Sequence, residues 1–407
     1  MRLVHCLALV LLTAIPGLLL LLHLHSAQLS LTNPAAHHTQ STATRGTSRR
    51  LRTPPSRRRL YLGLDLSTQG LKATLLDADT LRVAHTTSVN FDADLPRFRT
   101  TGGAHKHGPR VTSPTLMWVE AMDLLFRRLN STDVPGLALH ADSSTYISGV
   151  SASGQQHGSV YWANGAEPVL SHQLDPALTL ATQLTRAFAV DESPIWMDSS
   201  TRAECARREQ AVGGALQLAK ISGSRAFERF TGNQIAAVAR SRRGRGKRGG
   251  EGGEGGEGGL GGGLGGVERI SLVSSFVASL LAGKYVGIDS SDAGGMNLMD
   301  IQTKTWDRRL LAVSVPDGKA DDVEADGVRA DGVGVDGRAA SVLDGKADGV
   351  GVDGRAASLA SLLGPIIQPH SVVGPLSSYF RRRYGSLFSE TCVETTYKQP
   401  INNLNNL

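Results

Sequence analysis

The stretch LYLGLDLSTQGLKATLLD at residues 60–77 is the strongest constraint on the fold of this chain. Two apolar runs flank a short polar turn at 67–70, and Asp65 lies near the end of the first run. This pattern predicts a β-hairpin with two buried strands. Backbone N–H groups and hydroxyls at such a turn can hold a phosphate, and a strand-end aspartate can hold Mg²⁺ through water. The stretch lacks the P-loop pattern, and a purely structural hairpin remains an alternative interpretation.

The charge of the chain is concentrated in one segment. The formal net charge is +6, and residues 28–60 contain seven arginines and no acidic residue. The remainder is therefore close to neutral, so no nucleic-acid partner is expected. A solvated basic arm is the simpler interpretation, although contact of this arm with phosphate or acidic surfaces stays open.

The amino-terminal segment has the features of a targeting sequence. Residues 1–25 combine a short basic start with a long apolar run, and small residues follow at Ser26 and Ala27. A secretory signal peptide, a signal anchor and an organelle transit peptide all fit this pattern. We therefore exclude residues 1–59 from the fold. The three cysteines give neither a disulfide framework nor a CxxC metal spacing, which fits a reducing compartment.

Two later segments are of low complexity. Residues 241–266 are rich in glycine, and residues 313–358 contain ADGVGVDGRAAS twice, at 330–341 and 347–358. Neither segment can bury enough apolar surface to offset the entropy of ordering, so both are predicted to be disordered insertions. A nucleic-acid contact by the arginines of the first segment and a calcium-binding β-roll in the second are the less favoured alternatives.

The remaining segments predict alternating strands and helices. Further strands are expected at Arg82–Phe91, at Tyr146–Ser153, in GSVYWA and within 371–385; helices are expected from Ser113 and Pro114 onward, from Ser199 or Ser200 to Val212, at 216–221 and at Glu268–Leu281. Residues 386–407 show no periodicity and are predicted to be unfolded.

Two segments offer side chains suited to a hydroxyl-rich ligand. The sequence GQQHG places Gln156 and His157 between two predicted strands, and amide and imidazole groups can both donate and accept hydrogen bonds. The sequence FERFTGN contains Arg229, whose planar guanidinium suits a hydroxylated or phosphorylated ligand. A structural histidine and a surface salt-bridge arginine are the competing interpretations.

Several motifs occur together in one order: GLDLSTQGLKA, LMWVEAMD, SGQQHGSVYW, WMDSST, GSRAFERFTGNQI, ERISLVSSFVASLLAGKY and SDAGGMNL. This set resembles the amino-terminal domain of the FGGY carbohydrate kinases, and within them the ketopentose kinases that act on D-xylulose. The resemblance covers roughly residues 60–240, 267–312 and 364–385. Taken jointly, these motifs are far more specific than any one of them.

The resemblance implies an α/β fold of the actin-like, ribonuclease H-like type and ATP-dependent phosphorylation of D-xylulose to xylulose 5-phosphate, with Mg²⁺. It implies a cytoplasmic protein whose partners are the sugar and ATP, with no membrane association unless the leader at 1–27 is a real anchor or signal. By position, it assigns sugar contacts to His157 and Arg229, more weakly to Gln156 and Asp198, and the phosphate/magnesium hairpin to Asp65, Ser67, Thr68 and Gln69.

The chain also departs from the family pattern. In the family, a Gly-Asp-Asn motif follows the SVVG…YG segment and supplies the catalytic base, whereas here the sequence continues as SLFSETCVETTYKQPINNLNNL. The nucleotide domain expected after it is absent as well. We therefore expect a sugar-binding domain built from 60–240, 267–312 and 359–385, a divergent tail at 386–407, no catalytic base and impaired activity. A non-catalytic sugar-binding or regulatory fragment is the alternative.

Overall fold

The structure, a computed structural model, describes residues 58–131, 145–248, 263–315, 352–385 and 387–395. Residues 1–57 of the predicted leader and basic arm, and most of both predicted insertions, lie outside these residues. Arg58 and Arg59 were also excluded from the fold, but they are the first two residues of the first strand, because they pair with Thr145 and Tyr146. The chain divides into two compact units, one of residues 1–56 with 79–82 and the other of residues 57–78 with 83–407. Residues 79–82 are the described part of the first unit, and the elements named below belong to the second.

The strands of the described residues are, in chain order, β1 (Arg58–Leu66), β2 (Gly70–Asp77), β3 (Val83–Asn90), β4 (His105–His107), β5 (Arg110–Pro114), β6 (Thr145–Gly154), β7 (Ser159–Ala163), β8 (Glu192–Pro194), β9 (Val267–Leu272), β10 (Ile288–Asp289), β11 (Met299–Asp300), β12 (Thr305–Trp306), β13 (Ile366–Ile367), β14 (Val372–Pro375) and β15 (Phe388–Thr395). The α-helices are α1 (Phe91–Asp94), α2 (Thr115–Asn130), α3 (Ala166–Pro168), α4 (Leu180–Gln183), α5 (Arg202–Ala211), α6 (Ala215–Ser222), α7 (Thr231–Arg248), α8 (Val273–Ala282), α9 (Ser290–Gly294), α10 (Arg308–Val313), α11 (Val352–Leu363) and α12 (Ser378–Arg383). A 3-10 turn at Pro96–Phe98 and a π turn at Val169–Gln173 complete them.

A six-stranded sheet organises the unit, in the order β14-β15-β6-β1-β2-β3. The predicted hairpin is present: β1 and β2 pair antiparallel, with Leu60 opposite Asp77 and Leu66 opposite Leu71. β3 continues this antiparallel meander, whereas β6 pairs parallel to β1 and β15 pairs parallel to β6. Three antiparallel strands continued by parallel ones form the ribonuclease H-like arrangement that the resemblance implies.

Alternating side chains bury one face of β1 and β2 in the main core. The leucines at 60, 62, 64 and 66 of β1 are at most 3% exposed, which is the two-residue period of a strand. α2 covers this core with its apolar face, and α8 contributes a helix that is buried almost throughout. Phe126 of α2 lies 4.9 Å from Phe380, 5.5 Å from Tyr384 and 5.9 Å from Phe388, ring centre to ring centre. One aromatic cluster thus ties α2 to the last helix and strand.

A second apolar cluster lies around the antiparallel pair β7 and β9. Tyr161 of β7 and Ile270 of β9 are fully buried there, together with apolar residues of α7, α10 and α11. The loops that leave this cluster carry the residues predicted to bind sugar.

The structure corrects several predicted boundaries. The helix expected from Ser113 and Pro114 begins at Thr115, because both residues belong to β5, which pairs with β8. The helix expected over Glu268–Leu281 is a strand up to Leu272 and a helix from Val273. Its first half is a strand because residues 267–272 pair with β7, a long-range contact that overrides the local helical period.

The predicted low-complexity and tail segments also contain regular structure. α7 continues through 241–248, and α11 begins at Val352, inside the second copy of the repeat. The tail that was expected to be unfolded forms β15 at 388–395, because the free edge of β6 pairs with it. Among the described helices, none combines the length and the hydropathy that a membrane crossing requires.

The aromatic cluster around Phe126 gives a test of the fold. Replacing Phe126 by Ala removes a ring that is 0% exposed, so we expect the free energy of unfolding to fall by about 3–5 kcal/mol in urea denaturation. Leu216→Ala is the control, because Leu216 is 68% exposed and its loss should change stability by less than about 0.5 kcal/mol. Equal stability of the two variants would contradict this packing.

Candidate functional site

The turn between β1 and β2 carries the predicted phosphate-binding residues. The Ser67 N–H donates to the Gly70 carbonyl at 2.9 Å, and Ser67 Oγ donates to Asp65 Oδ2 at 2.9 Å. Asp65 is therefore held at the end of β1 beside a hydroxyl, and Gln69 is exposed. A Cβ on Gly103 would lie 2.0 Å from the Thr68 carbonyl oxygen, so glycine is required where the 101–104 loop approaches this turn.

Thr68 links this turn to two other segments. Its Oγ1 donates to Gln155 Oε1 at 3.4 Å and accepts a hydrogen bond from Trp196 Nε1 at 2.9 Å. Gln155 begins the GQQHG loop after β6, and Trp196 begins the WMDSST motif. One threonine hydroxyl therefore joins the hairpin, the loop predicted to bind sugar and a tryptophan that is 45% exposed.

His157 lies in this loop with a left-handed backbone, φ 64°. Its carbonyl accepts a hydrogen bond from Thr231 Oγ1 at 3.1 Å, and its ring centre lies 4.9 Å from that of Phe230. A Cβ on Gly295 would lie 3.1 Å from His157 Cε1. Burial, followed by the charge of Arg229, lowers the pKa of His157 to about 4, against the opposing effect of a hydrogen bond with the Gly295 backbone. The imidazole is therefore neutral at physiological pH.

Arg229 and His157 lie against the same aromatic ring. The Arg229 guanidinium carbon lies 5.3 Å from the centre of the Phe230 ring and 4.9 Å from that of Phe227. These cation–π contacts hold an exposed side chain in one region. The structure thus brings together two predicted sugar contacts that are far apart in the sequence, and the Gln155–Thr68 hydrogen bond connects the loop of His157 to the hairpin that holds Asp65.

Gln156 and Asp198 occupy different surroundings. Gln156 is partly buried, and its carbonyl accepts the Gly158 N–H at 2.8 Å. Asp198 is 5% exposed and caps a local turn, with Oδ1 accepting the Ser200 N–H at 2.9 Å. A cavity of about 280 Å³ lies beside Asp198 and Gln234, and none of His157, Arg229 and Asp65 lines it. The structure therefore places Asp198 in a supporting turn.

Sequence reasoning missed three contributors to the site. Gln155 is 8% exposed and its Nε2 has no hydrogen-bond partner within the described residues, Trp196 contacts Thr68, and Gly295 faces His157. Trp196 belongs to the WMDSST motif, but the sequence analysis assigned it no role. The neighbourhood of Gly295 depends on long-range packing that no local pattern reveals.

The carboxyl of Asp292 lies three residues before Gly295. Burial, and then the neighbouring Asp289, raise the pKa of Asp292 to about 7. Asp292 accepts a hydrogen bond from Ser274 Oγ, and its carbonyl accepts the Gly295 N–H at 3.0 Å. Asp292, which is partly buried, therefore supports the segment that packs against His157 through its backbone carbonyl.

The donor groups at the hairpin fit Mg²⁺ in one specific way. Within the described ranges, no cluster of three His, Cys, Asp or Glu side chains could enclose a metal ion. A single carboxylate beside hydroxyls matches Mg²⁺, which keeps several waters and is bound through one or two carboxylates plus substrate phosphates. Asp65 is the residue that would hold it, through water.

Comparison with known proteins gives relatives for most of the chain. It is 40% identical over 337 residues to xylulose kinase 2 of Arabidopsis thaliana, covering 82% of this chain and 48% of that protein. It is 41% identical over 330 residues to xylulose kinase of Mus musculus, covering 81% of this chain and 47% of that protein. The chain thus spans about half the length of the curated relatives it matches. No family model matches it.

Solved structures show the same fold. A xylulose kinase from Rhodospirillum rubrum superposes with a TM-score of 0.54 at 13% identity, covering 83% of this chain and 49% of that one. The glycerol kinase of Plasmodium falciparum superposes with a TM-score of 0.52 at 14% identity, covering 84% of this chain and 48% of that one. This likeness confirms the actin-like α/β fold class that the sequence predicted.

The proximity of Arg229 to His157 gives a pH test. In Arg229→Met the pKa of His157 should rise from about 4 towards 6.5 without reaching it, because burial remains the larger cause. NMR titration of the His157 ring proton, assigned with a His157→Gln variant, measures this pKa. The folded protein loses stability as pH falls from about 6.5 to 4, because in that range the imidazole is protonated only in the unfolded chain. Arg229→Met should narrow the pH range over which this loss occurs.

Arg225→Met is the matched control, because Arg225 packs on Phe227 at 5.9 Å and pairs with Glu209 at 3.6 Å. Its loss should leave the His157 pKa unchanged. A His157 pKa that does not move in Arg229→Met would place the two side chains apart.

Proposed function

Four-fifths of this chain is homologous to xylulose kinases, and from this premise we propose that it carries the sugar-binding lobe of an ATP-dependent D-xylulose kinase. The carrying observation is the shared packing of His157 and Arg229 on Phe230, next to the hairpin that holds Asp65. Sugar and ATP are the proposed partners, and xylulose 5-phosphate is the proposed product.

The proposed sugar contacts follow from the chemistry of the two side chains. A neutral imidazole has one donor and one acceptor nitrogen, and because one of them meets the Gly295 backbone, His157 offers the other to a sugar hydroxyl. Arg229 offers several N–H donors in a fixed plane to hydroxyl or carbonyl oxygens of a ketose. We also retain Gln156 as a weaker proposed contact. Trp196 is exposed and donates to Thr68, and we propose that it faces the sugar.

The hairpin is proposed to receive the transferred phosphate. Ser67, Thr68 and Gln69 are the proposed phosphate contacts, with the Ser67 and Thr68 hydroxyls exchanging their present hydrogen bonds to Asp65 and Gln155 for phosphate oxygens. Asp65 would hold Mg²⁺ through water. The bound ion neutralises charge on the phosphate oxygens. Phosphoryl transfer depends mostly on positioning and charge stabilisation, so the contribution of this lobe is to align the sugar hydroxyl with that phosphate.

The chemistry also needs a general base, which the family motif places after the segment that ends at Gly385 here. No Gly-Asp-Asn motif follows Gly385, so the carboxylate that takes the proton of the attacking hydroxyl is missing there. Loss of a general base typically lowers a rate by ~10²–10⁴-fold. Alignment of two bound reactants can contribute roughly 7–11 kcal/mol, which a single lobe cannot provide. We therefore propose impaired phosphorylation by this chain alone. The alternative is a non-catalytic sugar-binding or regulatory fragment.

We propose a cytoplasmic location for the chain, with a secretory or organellar location as the alternative because of the apolar leader at 1–27.

Sugar binding is the first test. D-xylulose should bind the full chain in isothermal titration calorimetry, and Arg229→Met should weaken binding by about tenfold or more, because charge-assisted hydrogen bonds are worth about 1.5–3 kcal/mol. Arg225→Met should bind like the unmodified chain. Absence of D-xylulose binding, in a chain shown to be folded by circular dichroism, would refute the proposed function.

Turnover is the second test. ATP hydrolysis coupled to D-xylulose should be at least ~10²-fold slower for this chain than for the full-length mouse xylulose kinase assayed in parallel. The comparison uses equal concentrations of folded protein. A rate similar to that of the mouse enzyme would refute the proposed impairment while leaving the sugar-binding assignment intact. Binding with no detectable turnover would favour the non-catalytic alternative.

A further inference from the structure

Arg208 of α5 is 0% exposed, and its guanidinium contacts several separate segments. Nε donates to Asn233 Oδ1 at 2.7 Å, and one terminal nitrogen donates to the carbonyls of Leu310 at 3.0 Å and Asn297 at 3.2 Å. The other terminal nitrogen donates to Ser314 Oγ at 2.8 Å. A single side chain thus joins α5 to the start of α7, the segment after α9 and α10.

The hydrogen-bond partners of this buried cation are all neutral. Burial lowers the pKa of Arg208 to about 10, so the guanidinium stays charged at physiological pH. The nearby Glu204 carboxylate instead binds Arg240 at 2.6 Å. A buried charge without a hydrogen-bonded counter-ion is costly to fold around, and such groups are sometimes kept because they specify one conformation. The location of its partners shows which conformation Arg208 would specify.

Asn233, the first partner of Arg208, contacts the loop that carries Arg229. Asn233 accepts from Arg208 and donates through Nδ2 to the Phe227 carbonyl at 2.9 Å. Phe227 lies in that loop, and Asn233 lies in the first turn of α7, which follows it. The loop is therefore closed by an amide whose own orientation is fixed by the guanidinium.

Asn297, the second partner of Arg208, belongs to the segment that packs on His157. Arg208 binds the Asn297 carbonyl, and the Gly232 N–H donates to the Met296 carbonyl at 2.9 Å. Gly295, one residue earlier, faces the His157 ring. A Cβ on Gly232 would lie 2.9 Å from an Arg208 terminal nitrogen, so the glycine of this TGN turn gives the guanidinium its space.

We propose that Arg208 is a positioning residue that fixes Arg229 and His157 relative to each other. It acts through Asn233 on one side and through residues 295–297 on the other. It makes no contact with the sugar itself. The inference deepens the proposed function, because the pair that it positions is the proposed ketose contact.

The test uses Arg208→Lys in the full chain, which keeps a positive charge but cannot reach all four hydrogen-bond partners. Loosening the loop lets Arg229 move away from His157, so the His157 pKa should rise, as it should in Arg229→Met. The Kd for D-xylulose should rise by about tenfold or more, which corresponds to ~1.4 kcal/mol. NMR titration and calorimetry give the two values, and the pKa does not depend on any sugar being bound. A purely structural arginine would lower stability without moving this pKa in the folded protein.

Arg207→Lys is the matched control, since Arg207 is the preceding residue of the same helix and makes a looser 3.8 Å pair with Glu204. Both readouts should stay unchanged in it. Asn233→Ser, which cuts the link between Arg208 and the loop, should reproduce the Arg208→Lys result and replaces it if that variant does not fold.

Each outcome is decisive. A folded Arg208→Lys or Asn233→Ser variant with an unchanged His157 pKa overturns the positioning role. Failure of both variants to fold, with normal folding of Arg207→Lys, also overturns it and assigns Arg208 to folding alone. A raised pKa in a chain that does not bind D-xylulose supports the positioning role and refutes the proposed substrate.

Discussion

The parallel pairing of β1 with β6 is the constraint on which the candidate site depends. The register sets Asp65 beside Ser153 and Leu66 beside Gly154, so both strands end at one edge of the sheet. The Gln155 N–H extends this ladder by donating to the Leu66 carbonyl at 2.8 Å. A Cβ on Gly154 would lie 2.8 Å from the Ser274 nitrogen, so glycine is what allows the start of α8 to close this edge. The hairpin turn and the GQQHG loop therefore emerge side by side because main-chain hydrogen bonds place them there.

The electrostatics of the site follow from the same arrangement. An imidazole placed beside a guanidinium and largely removed from water is disfavoured in its charged form by both effects. A neutral His157 avoids repulsion with Arg229 and keeps an acceptor nitrogen, whereas an imidazolium would offer donors alone. Both groups lie against the Phe230 ring, which can contact an imidazole and a guanidinium alike. The pair can thus offer both donors and acceptors to a ligand rich in hydroxyls.

Local sequence patterns predicted those parts of the structure that depend on neighbouring residues. The hairpin around residues 67–70 and the strand before Gly154 carry their own alternation and turn chemistry, so both were predictable. The strand at 267–272 was not, because its helical period is overridden by pairing with β7, and β15 forms because β6 offers it an edge. The pairing of His157 with Arg229 came from the resemblance. Their shared ring, the Thr68 hydroxyl bridge and the buried Arg208 became visible once the fold had brought distant segments together.

The network around the proposed sugar contacts is internal to one compact unit. Thr201 Oγ1 donates to the Glu228 carbonyl at 2.5 Å, and Asn297 Nδ2 donates to Ser222 Oγ at 2.9 Å, which adds α5 and α6 to the segments that hold the site. Because every one of these contacts lies within the described residues of this unit, the geometry of the loops that carry His157 and Arg229 is set inside it. On the proposed function, affinity for a sugar would depend on this geometry alone, whereas the rate of phosphoryl transfer would also depend on alignment with a separately bound phosphate donor.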